Sequence, residues 1–290
     1  MFIATLIAAQ LPEGEVSAAR DRLDAAGCLP VATVWVEQGE ACDLQFGRDM
    51  AAARAALEGQ GYDVVVQPAE HRRKKLIVAD MDSTMITVEC IDELADYAGI
   101  KQEVALVTEA AMRGEMDFGQ ALDARVALLR GMDESVIDRC LAERVKIMPG
   151  ARELVLTMRA HGATAILVSG GFTRFAEPVA REIGFDRAIA NVLEVADGKL
   201  TGTVAKPIVD ASTKLATLSE AILEFGLTTG ETLAVGDGAN DLAMITQAGL
   251  GVAYHAKPVV AESAGARIDH GDLSALLFAQ GYARKEWVKN

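Results

Sequence analysis

The sequence predicts an α/β protein, in which a doubly wound parallel sheet with an inserted helical cap is preceded by a smaller α+β domain. Three observations lead to this prediction. From residue 76 onward, short apolar runs alternate with helical patterns, as in a parallel sheet built from β-α-β units. Residues 88–146 interrupt the alternation and read as helical throughout. Residues 1–70 follow the order β-α-β-β-α-β, which is typical of a ferredoxin-like domain.

The composition narrows the class of protein. The chain has 290 residues, of which 51% are hydrophobic and 5% aromatic, which favours two domains and strands buried on both faces. A net charge of −14 argues against binding to nucleic acid or to an anionic membrane, because both require clustered Lys and Arg. The chain start lacks the basic flank of a signal peptide, and the four cysteines form no CxxC pair. We therefore expect a cytoplasmic protein with reduced thiols.

Residues 1–72 form the first predicted domain. Strands are expected at 2–9, 31–37, 41–46 and 62–67, with helices at 14–27 and 48–60. Gly61 is expected to cap the second helix. The basic run at residues 71–75 reads as a solvated linker. The pattern indicates no ligand site here, so two roles remain open for this domain: regulation by a bound amino acid, or pairing of subunits in a homodimer.

The second predicted domain, residues 73–290, begins with the most informative segment. An apolar strand at 76–80 ends in Asp80, and Asp82 follows two positions later. If the extended backbone persists through Met81, both carboxylates face the same spot beyond the end of the strand, which is where ligands bind in open α/β sheets. Two carboxylates held together need a cation, a shared proton or a substrate to offset their repulsion. This segment therefore predicts a catalytic site.

The helical block at about 88–146 is too large for a connecting loop and predicts a cap over the strand ends. In its 117–130 helix, an apolar stripe that includes Phe118 and Leu122 is interrupted by Arg125. Either this arginine has a structural partner, or its guanidinium points into the cleft toward a substrate carboxylate. Glu89, in the first turn of the first cap helix, reads from periodicity as a favourable N-terminal acid.

Two more strands are predicted to end in polar groups at the same edge of the sheet. The 163–168 strand runs into Ser169-Gly170-Gly171, where a hydroxyl and backbone N–H groups can hold an anion. The 232–236 strand runs into Gly-Asp237-Gly-Ala-Asn240-Asp241. Lys214 lies at the start of the 213–225 helix, with Ser212 as the expected N-cap. Neither glycine segment matches a dinucleotide-binding or Walker motif.

The rest of this domain is predicted from the same signals. A further strand is expected at 250–253, and helices at 149–161, 173–183 and 240–248. Gly162, Gly184, Gly226 and Gly249 are expected to end helices in a left-handed conformation. Asp197-Gly198 predicts a hairpin within residues 191–204.

Taken together, the Asp80-Met-Asp82-Ser-Thr segment, Ser169-Gly-Gly, Lys214 and the Asp237 segment resemble the four motifs of the haloacid-dehalogenase-type phosphatase superfamily. The resemblance covers residues 75 to about 285 and is closest to the phosphoserine phosphatases. The first domain is similar to the ACT-like domains found in many bacterial members. Met81 stands where a Phe is commoner between the two aspartates.

The resemblance implies a mechanism and a site. Asp80 would attack phosphorus to form an aspartyl-phosphate, and Asp82 would act first as acid and then as base. Mg²⁺ would bind the carboxylate of Asp80, the backbone carbonyl of Asp82 and the carboxylate of Asp237, with Asp241 nearby. The groups implied to hold the phosphoryl oxygens are Ser169, Gly170, Lys214 and Asn240. Lys206 is a rival for the lysine role.

In phosphoserine phosphatases, a glutamate at the position of Glu89 holds the substrate amine, and an arginine at that of Arg125 holds its carboxylate. Residues matching Met112 and Phe118 flank them. The resemblance therefore implies O-phospho-L-serine as the substrate. Two alternatives remain: an enzyme of the same superfamily that acts on another small phosphate, and a phospho-acceptor signalling domain.

Overall fold

The computed structural model describes residues 1–288, and the side chain of Met112 lies outside the described part. The fold contains a four-stranded sheet at the N-terminal end, a six-stranded sheet and a two-stranded hairpin. None of the helices described within residues 1–288 is both long and apolar enough to cross a membrane.

The N-terminal unit has the predicted β-α-β-β-α-β order. Its elements are β1 (Phe2–Ile7), α1 (Glu13–Ala25), β2 (Pro30–Glu37), β3 (Ala41–Phe46), α2 (Met50–Ala56) and β4 (Asp63–Pro68). The sheet order is β2-β3-β1-β4 with antiparallel pairing throughout, which confirms the ferredoxin-like prediction. The expected cap at Gly61 is wrong, because α2 ends earlier, at Ala56, and Leu57 is its C-cap.

The prediction of a solvated linker is wrong for two residues of the basic run between the two sheets: Lys74 is buried and Arg72 is half-buried, whereas the other three are exposed. The guanidinium of Arg72 makes two hydrogen bonds to the buried Asp43 carboxylate, at 2.6 and 2.7 Å, and also donates to the carbonyl of Ala279. Lys74 is buried and donates to the carbonyl of Gly230. Arg72 therefore connects the N-terminal sheet to the C-terminal part of the chain, and Lys74 anchors the run to the loop before β10.

The six-stranded sheet is parallel throughout, and its order is β12-β11-β10-β5-β6-β7. The strands from here on are β5 (Leu76–Ala79), β6 (Thr164–Phe172), β7 (Arg187–Asn191), β8 (Leu193–Ala196), β9 (Lys199–Val204), β10 (Thr232–Gly236), β11 (Leu250–Tyr254) and β12 (Ala266–Ile268). The edge strands β7 and β12 were not predicted. The central strands β5, β6 and β10 lie side by side, so their carboxyl ends form the switch point of the doubly wound fold.

Four helices follow β5 and form the predicted cap: α3 (Cys90–Ala98), α4 (Lys101–Met112), α5 (Phe118–Ala127) and α6 (Ser135–Arg144). The breaks between them fall at Gly99, Gly114 and Gly131, all with positive φ. The hairpin β8–β9, which turns at Asp197-Gly198 as predicted, packs against α5. The core sheet therefore contacts the cap through this hairpin as well as through the chain connections.

The helices that cover the core sheet are α7 (Ala151–Ala160), α8 (Thr173–Ile183), α9 (Ala211–Glu224), α10 (Leu242–Gln247), α11 (Pro258–Ser263) and α12 (Ala275–Ala279). Left-handed glycines follow α7, α8 and α9 at Gly162, Gly184 and Gly226, as predicted. Gly249 does not have a positive φ, so that cap is wrong. A Cβ there would lie 2.4 Å from the carbonyl oxygen of Thr229, so close backbone approach explains the glycine instead.

Candidate active site

Asp80 and Asp82 lie in one cleft at the carboxyl end of β5. The N–H of Asp80 donates to the carbonyl of Val235 in the neighbouring strand at 3.0 Å, which fixes it at the sheet edge. The chain then turns, because the N–H groups of Met85 and Ile86 both donate to the carbonyl of Met81. The cleft is nevertheless lined by both aspartates, as the i, i+2 spacing predicts.

Lys214 is fully buried and bridges two carboxylates. Its Nζ lies 2.5 Å from Oδ1 of Asp80 and 2.6 Å from Oδ1 of Asp241. Burial alone would lower the pKa of this lysine, but the two carboxylates raise it above its usual range. The helix α9 that carries Lys214 has Asp210 as its N-cap, so the expected cap at Ser212 is wrong. Lys214 is therefore held charged at the end of β5.

Three carboxylates converge beside this lysine. Single oxygens of Asp80, Asp237 and Asp241 all lie within 4.8 Å of one another. Gly236 permits this arrangement, because a Cβ there would be 2.4 Å from the Asp241 side chain. The hydroxyl of Thr84 donates to Oδ1 of Asp237 at 3.2 Å and orients it. Burial and the negative charge of Asp80 raise the pKa of Asp237 to about 6.

This donor set fits a hard divalent cation. Its ligand atoms are all oxygen, and the lysine ammonium offsets only part of the charge of three carboxylates. Burial, followed by the charge of Asp80, raises the pKa of both Asp241 and Asp237, so a bound cation would stabilise their ionised forms. The carboxylate of Asp82, in contrast, is not part of the cluster.

Asp82 is surrounded by groups that disfavour its ionised form. Burial, followed by the charges of Glu89 and Asp80, raises its pKa well above the ordinary value. The Oδ1 atom of Asp82 is buried and has no hydrogen-bond partner among the described residues. The buried Cys90 thiol lies nearby at the start of α3. A carboxyl group in such surroundings can carry a proton near neutral pH.

The Ser169 segment forms one wall of the cleft. Ser169 is buried, and its Oγ accepts a hydrogen bond from the N–H of Gly171 at 2.9 Å. A Cβ on Gly171 would lie 3.2 Å from Oδ2 of Asp82, so glycine allows the backbone to approach that acid. Asn191 fixes the segment by donating to the carbonyl of Gly170 at 2.9 Å. The wall is rigid and close to Asp82.

The cap contributes the opposite wall. Phe118 lies over the core loop, since its Cζ would be 3.1 Å from a Cβ placed on Gly170. Glu89 accepts a hydrogen bond from the hydroxyl of Ser83 at 2.8 Å. Arg125 donates through Nε to the carbonyl of Ala121. The guanidinium of Arg125 has no carboxylate within 4.0 Å among the described residues, and desolvation lowers its pKa.

The cleft between core and cap has a volume of about 340 Å³, which suits a small metabolite. Most of the sequence-predicted residues line it, namely Asp80, Asp82, Glu89, Phe118, Arg125, Ser169, Gly170, Asp237 and Asn240. Lys214 lies behind Asp80. Met112 ends α4, but its side chain is outside the described part of the structure.

Sequence reasoning missed other lining residues. Asp92, Thr108 and Lys257 also line the cleft. Lys257 comes shortly after the end of β11, so the rule that strand ends carry function could have identified it. Asp92 and Thr108 lie on cap helices, whose orientation the sequence did not give. The rival lysine, Lys206, binds Asp123 of the cap at 2.7 Å instead.

Comparisons with known proteins identify the family of the chain. The family model for haloacid dehalogenase-like hydrolase matches residues 77–246. A phosphoserine phosphatase of Streptomyces coelicolor is 46% identical over 82% of this chain, and the match spans only 58% of that relative's length. One from Albidiferax ferrireducens is 48% identical over 70% of this chain and 88% of its own length.

The solved structures include a probable phosphoserine phosphatase from Vibrio cholerae, in an unliganded form. It superposes with a TM-score of 0.78 at 33% identity, covering 98% of this chain and 87% of its own. The family match spans the strand that carries Asp80 and the loop that carries Asp237. By sequence, fold and arrangement of acidic residues, the chain belongs to the haloacid dehalogenase-like hydrolases.

Proposed function

We propose that this protein is a phosphatase that hydrolyses O-phospho-L-serine to L-serine and phosphate, using Mg²⁺. The observation that carries the proposal is the composition of the cleft. The core side holds an acidic cluster suited to phosphoryl transfer. The cap side presents the carboxylate of Glu89 and the guanidinium of Arg125, which has no carboxylate partner among the described residues. An amino-acid phosphate offers a complementary group to each.

Asp80 is proposed as the nucleophile. A carboxylate oxygen of Asp80 forms a bond to phosphorus while the bond from phosphorus to the serine oxygen breaks. Asp82 supplies the proton that the departing serine oxygen takes up, which requires the protonated form that its surroundings favour. Asp82 then accepts a proton from the water that attacks phosphorus, releasing phosphate and restoring the Asp80 carboxylate.

The residues around Asp80 fit the proposed metal. Mg²⁺ would be held by the carboxylates of Asp80 and Asp237 and by the backbone carbonyl of Asp82, with Asp241 in support. When bound, it would neutralise the charge on the transferring phosphoryl group. Lys214 and the Ser169–Gly170 wall would hold the phosphoryl oxygens, and Asn240 lies beside them in the cleft.

The substrate's other end is assigned to the cap. Arg125 is proposed to bind the substrate carboxylate, because its planar guanidinium suits bidentate contacts and has no carboxylate partner within 4.0 Å among the described residues. Glu89 is proposed to bind the substrate ammonium. Phe118, and by resemblance Met112, would pack against the carbon skeleton and close the cleft to water.

The alternatives differ in what they need from the cap. A phospho-acceptor signalling domain needs neither a four-helix cap over the site nor an acid two residues after its phosphorylated aspartate. A phosphatase for a metabolite without a carboxylate would leave Arg125 without an anionic partner among the described residues. The cap over the cleft and this arginine favour a phosphate ester that also carries a carboxylate, such as an amino-acid phosphate.

A panel of phosphorylated metabolites tests the proposal. The purified protein, with and without Mg²⁺, is incubated with phosphoserine, phosphothreonine, phosphoethanolamine and sugar phosphates, and released phosphate is measured. Metal-dependent release that is fastest from phosphoserine supports the assignment. Preference for a sugar phosphate would indicate a phosphatase for another metabolite. Stable phosphorylation of the protein without turnover would indicate a phospho-acceptor signalling domain.

Two further features are proposed. The N-terminal unit, residues 1–72, is proposed as an ACT-like domain that binds an amino acid or pairs two copies into a homodimer. The compartment is proposed to be the cytoplasm. The four cysteines are unbonded and buried in the described structure, which supports a reducing environment.

A further inference from the structure

A second lysine, Lys257, lies on the core side of the cleft. Its backbone N–H donates to the carbonyl of Asp237 at 3.2 Å, and its own carbonyl accepts from the N–H groups of Val260 and Ala261 at 2.9 and 3.1 Å. Pro258 follows it at the start of α11, where the proline ring fixes the backbone. The main chain of Lys257 is therefore tied directly to the loop that carries the acidic cluster.

The side chain of Lys257 is exposed and lines the cleft together with Glu89 and Asp237. It has no carboxylate within 4.0 Å in the described part of the chain. The ammonium therefore belongs to the same cleft as both acids without forming an ion pair with either of them.

The other lysine of the site is differently placed. The ammonium of Lys214 is fully buried between Asp80 and Asp241, so two of its three hydrogens are already engaged. Among the described residues that line the cleft, the Lys and Arg side chains are Lys257 and Arg125. Arg125 belongs to the cap, whereas Lys257 is anchored beside Asp237 on the core side. These two cations therefore address different ends of a bound molecule.

We propose that Lys257 is a substrate-binding residue that contacts the phosphoryl group on the core side of the cleft. This inference deepens the proposed phosphatase function and rests on it. A dianionic phosphoryl group entering an acidic cleft meets repulsion from several carboxylates. The ammonium of Lys257, which forms no ion pair among residues 1–288, offsets part of this repulsion and favours binding of the phosphoryl group at this edge.

The same placement has an opposite effect on a divalent cation. A fixed positive charge beside Asp237 opposes a second positive charge at the acidic cluster until phosphate arrives. Removing the ammonium should weaken phosphate binding and tighten metal binding. A residue that only supported the fold would not shift the two affinities in opposite directions. Measuring both therefore distinguishes an effect of the lysine charge from a structural effect.

The test uses Lys257→Gln in the full-length protein, with Lys257→Arg as the charge-conserving variant and Lys285→Gln as a matched exposed control. Calorimetry measures the Kd of Mg²⁺ alone, and then the Kd of inorganic phosphate at saturating Mg²⁺. We expect Lys257→Gln to raise the phosphate Kd roughly five- to tenfold and to lower the Mg²⁺ Kd roughly two- to fivefold. Lys257→Arg should keep both Kd values close to those of the wild-type protein, and Lys285→Gln should change neither Kd.

An unchanged phosphate Kd in a folded Lys257→Gln protein overturns the inference, as does a Mg²⁺ Kd that rises. Steady-state kinetics place the contact on the substrate: Lys257→Gln should raise KM equally for phosphoserine and for phosphoethanolamine, which lacks the carboxylate. A loss confined to phosphoserine would assign Lys257 to the carboxylate end and overturn the proposal.

Failure of the proposed function can be distinguished from failure of the inference about Lys257. If the wild-type protein releases no phosphate from phosphoserine, the proposed function fails. The inorganic phosphate and Mg²⁺ titrations still decide the role of Lys257 in that case, because they need no turnover.

Discussion

The ammonium of Lys214 lies 2.6 Å from Oδ1 of Asp241 and 2.5 Å from Oδ1 of Asp80, and it is fully buried with both carboxylates. One buried cation thus joins the end of β5 to the loop after β10. Breaking such a pair leaves an uncompensated buried charge, which is more destabilising than loss of a surface contact. The arrangement links the stability of the fold to the integrity of the site.

Replacing Lys214 by Met should therefore affect both the stability of the fold and the activity. We expect the metal-free protein to lose about 3–5 kcal/mol of unfolding free energy and the metal-loaded protein to lose most of its activity. Chemical denaturation, monitored by circular dichroism, measures the loss of unfolding free energy. Lys206→Met, which removes an exposed lysine paired with Asp123, should cost at most about 1 kcal/mol; equal losses in the two variants would contradict the role of burial.

Asp80→Asn and Asp82→Asn should separate attack from proton transfer. Asp80→Asn removes the nucleophile, so turnover and the phosphorylated protein should both disappear while the fold persists. Asp82→Asn cannot donate or accept the proton, so kcat should fall by about 10²–10⁴, with less effect on substrates whose leaving group needs no proton. Intact-protein mass spectrometry after rapid acid quench detects the adduct, and its persistence in Asp80→Asn would refute covalent catalysis by that residue.

Arg125→Gln should change specificity more than rate. Loss of the guanidinium removes binding to the substrate carboxylate, so kcat/KM for phosphoserine should fall by about 10²-fold, equal to roughly 2.7 kcal/mol. The same parameter for phosphoethanolamine should change little. Arg130→Gln, in the exposed turn after α5, provides the control. Equal losses on both substrates would show that Arg125 acts on the fold or on the phosphoryl end.

Metal should change the contribution that Asp237 makes to the pH dependence of stability. Asp237 has a folded pKa of about 6, above its ordinary value of 3.8, and burial is the main cause. The folded state therefore binds this proton more tightly than the unfolded state, so the contribution of Asp237 to the stability of the metal-free protein should fall as pH rises from about 4 to 6. Mg²⁺ requires the ionised form, so its stabilising effect should be larger at pH 7.5 than at pH 5.

Thermal unfolding at several pH values, with and without Mg²⁺, measures this effect. Asp237→Asn should flatten the dependence between pH 4 and 6 and reduce the gain in Tm from Mg²⁺. A Mg²⁺-induced gain that is largest at pH 5 would contradict the assignment of the cluster.

The alternation of apolar runs with helical patterns predicted the parallel sheet, and the position of Asp80 and Asp237 after two such runs predicted that they would meet. This works because parallel strands bring their carboxyl ends to one edge whatever the details of packing. The cap could also be predicted from the sequence, because its helices have their own apolar periodicity and are separated by glycines. Short edge strands such as β7 and β12 were missed because a few apolar residues carry too weak a pattern.

The sequence by itself determined the fold class, the order of the motifs and the identity of the acids, because these depend on local pattern and chain order. Only the tertiary structure decided which charges are paired. Arg72 and Lys74 appeared to be solvated, but Arg72 is half-buried and paired with Asp43 and Lys74 is buried. Arg125 and Lys257, in contrast, line the cleft without a carboxylate within 4.0 Å in the described part of the chain. Whether a charge has a partner depends on residues distant in the chain, and local pattern contains no information about them.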